Sequence, residues 1–538
     1  MHNLYFYLLF FLAGTASPLF AQTDSVGSLS AEKRESYIQN ATHYRMEENY
    51  GQAIQQLDSI LSVNPVDGQI LLFRGDLMLQ SRRFSEAVST YQKLLPLKYE
   101  PTVSQINLSY ALFMNHKPAK ALTVARSAWK GNPENSSAVV NYFNAMLWNR
   151  DTRKAATFLN EQKSLLSPDQ LLVLKARLHT TSGDYTQGLM YYDSLVDQHA
   201  NKYYFQEYAE VLLGKKENEE AVAIMEKGDT LFSENDKNSF LAKVRATQLQ
   251  QAGTEFVYFK DIGQNIRIEN SLWWLQSADR TYQWGARAGI SEITSGSEQK
   301  TSAYFGQVTL NTRWSKAWTG QGELRFQSIT PKGQPSFVGI TGRALLQYQP
   351  NDRRMVGFTY SSDILNYTAS LLGKNVHSNN FGYTTHLMLN GNNGFFSQGS
   401  FGMLNDQNQR LQFFGSLYHL FRTEPTLKGG LNFSALHFRD NSIETYFAPN
   451  QYLSTEIFAD FTTSLPHLAK WYFQMQAAGG MQKIETAEWN PAYRVQGELS
   501  YRTLHFETSI KYQNSNVAAS TGAGYKFDWL TLKLVWKW

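Results

Sequence analysis

The 538 residues include no cysteine, which excludes a disulfide framework, thiolate zinc sites, a thiol nucleophile and a lipid-modified cysteine at the N-terminus. Long hydrophobic runs are also missing beyond the first residues, so no internal segment reaches the roughly 20 apolar residues of a membrane-spanning helix. Charge is sparse and balanced. Asp, Glu, Lys and Arg make up 18% of the chain and the net charge is +4, which argues against disorder and against nucleic acid as a partner. Glycine and tryptophan are scarce in the first half: 11 of the 36 glycines precede Glu255, and of 12 tryptophans only Trp129 and Trp148 do. Two architectures therefore share the chain.

Catalytic signatures are absent too. There is no G-x-x-x-x-G-K-[ST] phosphate loop, no G-x-S-x-G nucleophile elbow and no H-E-x-x-H pair. The 11 histidines do not cluster at metal spacing; His386, His419, His437 and His505 are single residues on expected strands. Glu456 and Asp460 share one strand face, but at roughly 3.3 Å per residue they stand about 13 Å apart, too far for a paired-carboxylate glycosidase. The chain is expected not to be an enzyme and to use neither cofactor nor metal.

What is present begins with a nearly unbroken apolar and aromatic run from Leu4 to Leu12, followed by small residues and Leu19-Phe20-Ala21 before Gln22. Residues 1–21 read as a cleaved secretory signal, although the segment before the run carries His2 and neither Lys nor Arg.

From about Glu32 to Gln251 apolar residues recur at helical spacing, and a small residue followed four places later by a second apolar or small one returns at a longer period. The pairs are Ala53 and Leu57, Ala87 and Tyr91, Ala121 and Ala125, Ala155 and Leu159, Gly188 and Tyr192, Ala221 and Met225; successive spacings are 34, 34, 34, 33 and 33. Tyr44, Gly75, Pro101, Pro133 and Pro168 punctuate the same period. This resembles the tetratricopeptide repeat, whose second helix needs a small residue where it crosses the first. Residues 22–254 are expected to form a solenoid of six such repeats, with the small residues as packing positions. Function in such arrays belongs to the extended concave surface, which suits a peptide, a partner protein or a polymer. Tyr185, Tyr191, Tyr192, Tyr203 and Tyr204 are candidates for that groove, with core packing the competing role.

From Glu255 to Trp538 the period changes to two, with runs such as Tyr493 to Tyr501 and Leu504 to Tyr512 separated by Gly, Asn, Asp and Ser clusters. The expected fold class is thus an all-α tetratricopeptide solenoid over 22–254 followed by an all-β transmembrane antiparallel barrel over 255–538. About 16 strands fit the length at 9 to 11 residues per crossing. Trp273, Trp274, Trp314, Trp318, Trp471 and Trp529 fall near strand ends and are expected in interfacial girdles. On the polar faces Arg287, Arg313, Glu323, Arg325, Arg343, Glu456, Asp460, Arg494, Glu498 and Lys511 are expected to line the lumen. Inward charges must be paired or wetted, so they serve either as a stiffening ion-pair network or as a hydrophilic path for a polar solute.

The last strand places Leu530, Leu532, Leu534, Trp536 and Trp538 on one face and ends on an aromatic residue. That ending resembles the signal by which outer-membrane barrels are recognised for insertion, with Trp536 and Trp538 carrying it; it implies the barrel-assembly machinery and outer-membrane lipid as partners. The order of signal, repeats and barrel resembles the outer-membrane exporters of bacterial exopolysaccharide, the cellulose-secretion BcsC and poly-N-acetylglucosamine PgaA types. Within the barrel the chain is similar to the YaiO family, through Tyr446-Phe447-Ala448-Pro449-Asn450-Gln451-Tyr452-Leu453-Ser454 and through Gly522-Ala523-Gly524-Tyr525 before the terminal strand. Pro449 is expected to end strand pairing, with Tyr446, Phe447 and Tyr452 at the membrane interface. The resemblance implies the outer membrane of a Gram-negative bacterium, repeats in the periplasm engaging exopolysaccharide or periplasmic proteins, and a passive export channel. The alternative is a non-conducting anchor for a periplasmic scaffold. The array is shorter than that of the cellulose type.

Overall fold

The structure is a computed structural model that describes residues 29–538 apart from 297–298, 390–391, 424, 444, 465–469 and 518–525. The expected signal segment and the Gly522-Ala523-Gly524-Tyr525 motif lie outside the described residues. Contacts divide the chain into two compact units, Met1–Glu210 and Val211–Trp538.

The first unit is built of helix pairs: α1 (Ala31–Met46) with α2 (Tyr50–Leu61), α3 (Gly68–Gln80) with α4 (Phe84–Leu97), α5 (Pro101–Met114) with α6 (Pro118–Gly131), α7 (Ser136–Trp148) with α8 (Thr152–Gln162), and α9 (Pro168–Thr181) with α10 (Tyr185–Gln198). The unit boundary falls within α11 (Lys202–Gly214), and α12 (Asn218–Lys227) and α13 (Glu234–Thr247) belong to the second unit. Helices start where side chains satisfy the free N–H groups of the first turn. Asp67 accepts from Ile70, Asn135 from Ala138, and Ser167 forms a capping box with Gln170.

The periodic small residues lie where the repeat pattern requires close helix crossings. Ala53, Ala87, Ala121 and Ala155 are each 0% exposed on the second helices of their pairs, and Ala221 on α12 is likewise 0% exposed. Gly75 on α3 has no room for a methyl group, since a Cβ there would stand 2.6 Å from the Tyr91 ring. That crowding presses Tyr91 onto Asp76, whose carboxylate accepts from the phenol at 2.5 Å and from Asn107 at 3.1 Å. Burial pushes the Asp76 carboxyl up to about 6 against the lowering effect of these bonds. Tyr192, considered for the groove, is core and donates to Glu207, which also grips Arg177.

The second unit holds a closed antiparallel barrel of sixteen strands, each paired with its sequence neighbours and β1 with β16. They are β1 (Gln251–Asp261), β2 (Asn265–Leu275), β3 (Tyr282–Ser295), β4 (Gln299–Arg313), β5 (Trp318–Pro331), β6 (Phe337–Asn351), β7 (Arg354–Ile364), β8 (His377–Met388), β9 (Asn393–Leu404), β10 (Gln409–Thr423), β11 (Thr426–Phe438), β12 (Tyr452–Ser464), β13 (Trp471–Ile484), β14 (Asn490–Arg502), β15 (Phe506–Ser515) and β16 (Phe527–Lys537). A five-residue helix, α14 (Ala369–Gly373), interrupts the connection from β7 to β8. The first strand starts at Gln251, ahead of the expected Glu255, because Gln251 already pairs with Lys537 and Leu275. Backbone bonds between Gln250 and Trp538 in both directions complete the seam.

Closure leaves no edge strand to aggregate. Alternation then sorts side chains into a lumen face and an outer face. Leu272, Ile290, Phe326, Ile340, Phe358 and Ile457 are exposed on the outside and form an apolar belt. Among the described residues no helix is long and apolar enough to cross a membrane. The end where the chain enters at Gln251 and leaves at Trp538 is termed proximal. Proximal turns such as 314–317 and 352–353 are short, whereas distal connections 365–376 and 439–451 are long.

Candidate functional site in the barrel lumen

Strand register puts all ten expected polar-face residues at inward positions, in step with the buried inward residues Val257, Ile293, Ile329 and Phe458. Several pair across an intervening strand. Arg287 on β3 reaches Glu255 on β1 at 2.8 Å, past Ser271, and also meets Glu269 at 3.3 Å. Arg325 lies 3.7 Å from Glu269 and stacks 3.6 Å over the Phe305 ring. Arg494 on β14 grips Glu456 on β12 at 2.8 Å, and the strand between them carries Ala478 and Gly480 at the matching positions. Small residues on the middle strand leave the space such a crossing needs. Asp460 pairs with Lys428 at 3.4 Å, and Glu498 accepts from Ser500. Lys511 is the register partner of Glu498. Arg313 is used at the rim: it binds Glu217 and the Lys216 carbonyl, just before α12, while Lys215 meets Asp352 at 2.8 Å and Lys316 meets Glu220 at 3.2 Å.

Glu323 and Arg343 are register partners on β5 and β6 yet form no ion pair, and Arg343 is exposed to the lumen without a polar partner among the described residues. It borders a recess of ≈ 210 Å³ in the wall formed by β6 to β10, together with Asp363, Asn380, Gln398, Arg410 and Gln412. The lumen thus contains both satisfied ion pairs and unspent polar capacity. Glu456 is 1% exposed with one oxygen unpaired, and the Nε atoms of Arg267, Arg287, Arg325, Arg410 and Arg494 are buried without a partner.

At the distal end one of the barrel's own connections reaches across the lumen, which composition alone does not reveal. Ala369 and Leu372 of α14 pack on Ile293, Ala303 and Ile329 of β3, β4 and β5. Leu371, on the other side of the same short helix, joins Leu404, Leu436, Phe438, Tyr446, Ala448 and Tyr452. The helix therefore bridges opposite walls. Thr301 Oγ1 donates to the Ala369 carbonyl at 2.8 Å, the Ala369 N–H donates to Ser295 Oγ at 2.9 Å, and Tyr446 donates to Asp406 at 2.8 Å. Tyr446 at 7% exposure and Tyr452 at 0% correct the expectation that they are interfacial aromatics. Tyr446 belongs to the 439–451 connection, which folds onto this apolar cluster, whereas Tyr452 opens β12 at an inward position opposite Leu436. Pro449 does sit at the end of pairing, and its carbonyl accepts from Phe438.

Two tryptophans expected in girdles also face the lumen. Trp273 lies under Lys533 at 5.0 Å, and Trp529 lies under Arg267 at 5.0 Å and against Phe259. Their alternation decides this, since proximity to a strand end says nothing about side. Trp318 packs at a tilt on Tyr348, and Trp471 meets Tyr501 edge to face, on the outer face. Trp536 is outward and exposed and packs on Phe506; Trp538 is exposed at the chain end.

No protein-family model and no curated protein matches the chain. Among solved structures it is similar to a bacterial polysaccharide outer membrane secretin, at 11% identity and TM-score 0.45 over 54% of this chain and 99% of that one. It is also similar to the Pseudomonas aeruginosa protein OccK7, at 10% identity and TM-score 0.30 over 54% and 99%. A third is a thermophilic tetratricopeptide protein of Thermus thermophilus, at 17% identity and TM-score 0.29 over 34% and 99%. The architecture given above rests on the strand ladder and the helix pairs themselves.

Proposed function

We propose that the protein is an outer-membrane barrel with a periplasmic tetratricopeptide scaffold, and that it passes an exopolysaccharide outward, passively and without a cofactor. The observation that carries this reading is the lumen wall, where an exposed guanidinium borders a polar recess in a barrel whose distal walls are bridged by α14. A wall that served only as a brace would gain nothing from a cation left without a partner. The apolar outer belt supports a lipid surround, and short proximal with long distal connections support a proximal end in the periplasm. The aromatic terminal strand supports recognition by the barrel-assembly machinery. The finer assignment, to the YaiO family or to BcsC-type and PgaA-type exporters, belongs to the same proposal and rests on the motifs and domain order.

The α14 bridge itself favours a second reading, a non-conducting anchor whose repeats retain periplasmic or envelope-assembly partners. Polysaccharide inside and outside an in-frame deletion strain separates the two, with complementation by the full chain or by the barrel from Gln251 onward. Loss of extracellular polymer with periplasmic retention, restored only by the full chain, is the outcome expected of export. Unchanged polymer in both compartments overturns export and leaves the anchor.

A further inference from the structure

The recess on β6 to β10 is ordered by the strand register. Arg343 pairs with Ser361, Ser361 with Asn380, Asn380 with Gly402, and Gly402 with Arg410, so five adjacent strands contribute one inward row. At about 4.8 Å per strand, the two arginine backbones stand about 19 Å apart along the wall, with a hydroxyl, an amide and a glycine between them. The next row adds Thr359, Gly382, Ser400 and Gln412 in the same order of strands. The row between the two arginines is hydrogen-bonding, its two ends are cationic, and the Asp363 carboxylate borders it one inward step toward the distal end.

The floor is also kept low and fixed. A Cβ at Gly402 would lie 2.5 Å from the Asn380 amide oxygen, so a side chain there would displace the amide that organises the row. Asn380 accepts from Arg410 at 2.9 Å and donates to Asp363 at 3.2 Å, to Ser361 at 3.3 Å and to Ser378 at 3.1 Å. Asp363 is held by this network and by Ser361 at 2.7 Å, so the wall already uses its charge. Arg410 keeps a buried Nε without a partner, and Arg343 is exposed with no bond to Glu323 across β5. Arg343 thus holds donor capacity that the protein does not consume, and Arg410 borders the recess with a guanidinium whose Nε is shut off from the lumen and one of whose Nη atoms is held by Asn380.

We infer that this row is a binding track for an acidic polysaccharide, with Arg343 and Arg410 each taking a carboxylate and the hydroxyl and amide floor taking the sugar hydroxyls between. Arginine matches a carboxylate with two parallel N–H donors. A lone phosphate or sulfate satisfies one end and leaves the floor and the other end unused. An extended chain with anionic groups spaced by hydroxylated rings uses all of it. The row crosses β7 at Ser361, three residues before that strand ends and the connection carrying α14 begins. The inference rests on the export reading and names its substrate class.

The test is calorimetric titration of the full chain in detergent with a galacturonic acid oligomer, a glucose oligomer of the same length, and inorganic phosphate. Tighter binding of the oligouronate by at least about tenfold over both is expected, with a loss of about tenfold in each of Arg343→Gln and Arg410→Gln, since each removes a charge-assisted pair. Arg343→Gln removes no bond within the protein, so it keeps the test valid if Arg410→Gln fails to assemble. Equal binding of both oligomers, equal binding of phosphate alone, or binding indifferent to Arg343 overturns the inference. A deletion strain with a polymer defect alongside such a result retains export and discards the acidic substrate. Arginine-dependent oligouronate binding in a strain without a polymer defect keeps the track and discards export.

Discussion

At the scale of single residues, Asp76 ties the repeat packing to pH. Its carboxyl stands at about 6 in the folded protein against an ordinary 3.8, chiefly through burial. The folded state therefore binds the proton more tightly than the unfolded chain. The stability it contributes is full below about pH 4 and is lost as pH rises through about 6, an effect on the order of 3 kcal/mol. Thermal melting of the 222 nm helix signal of the full chain should show a midpoint lower at pH 7.5 than at pH 4.5. Asp76→Asn, which still accepts from Tyr91 and Asn107, should remove most of that difference; an unchanged pH dependence in the variant would refute the assignment. The buried pair of Glu456 and Arg494 gives a second expectation. Arg494→Met strands an inward carboxylate of 1% exposure and should destabilise the barrel by about 3 to 5 kcal/mol, whereas Arg494→Met with Glu456→Gln should recover most of it. The gel temperature at which the folded, faster-migrating form disappears reads both. Recovery absent in the double variant would mean the pair contributes through packing alone.

At the scale of elements, the sequence carried most of what local periodicity encodes. Ala53, Ala87, Ala121 and their successors report helix crossings because each close contact recurs within one repeat. The lumen positions of Arg287, Arg325 and Arg494 follow from alternation within a single strand. What alternation does not encode is where a connection folds once both of its ends are fixed in a barrel. Leu371 and Tyr452 meet in one cluster although their neighbours along the chain give no sign of it. Trp273 and Trp529 fall outside that limit, because alternation alone puts them on the lumen face, Trp273 in step with Arg267 and Glu269 and Trp529 in step with Thr531 and Lys533; nearness to a strand end is the wrong signal. The α14 bridge also yields an expectation of its own. The chain has no cysteine, so Thr301→Cys with Ala369→Cys introduces one pair, where Thr301 now donates to the Ala369 carbonyl. Oxidation should hold α14 against β4 and keep single-channel conductance low, and reduction should restore the openings of the unmodified protein. Equal conductance in both redox states would mean that this helix does not gate the lumen.

At the scale of the whole molecule, the question is what keeps the segment before β1 fixed to the barrel. Among the described residues, ion pairs join 215–220 to proximal turns and strand ends: Lys215 with Asp352, Glu217 with Arg313, and Glu220 with Lys316. Lys316 and Glu220 are both more than half exposed, so that pair alone contributes little. Arg313 and Glu217 are more sheltered, at 29% and 18%, and Arg313 also holds the Lys216 carbonyl, in a turn where Lys216 adopts φ 63°. The group works as a network whose screening depends on salt. Arg313→Glu should leave assembly and heat resistance of the barrel intact while amide exchange rises in α12, more at low salt than at high, because salt screens the new repulsion from Glu217. Adding Glu217→Arg restores the opposite charges in exchanged positions and should return exchange toward its original rate. If polymer export needs this junction held, the single variant should retain polymer in the periplasm, as is expected of a barrel without its repeats, and the paired variant should release it. Full export from Arg313→Glu with raised exchange in α12 would show that the junction is a structural seam only, and would confine the role of the repeats to what their own concave surface binds.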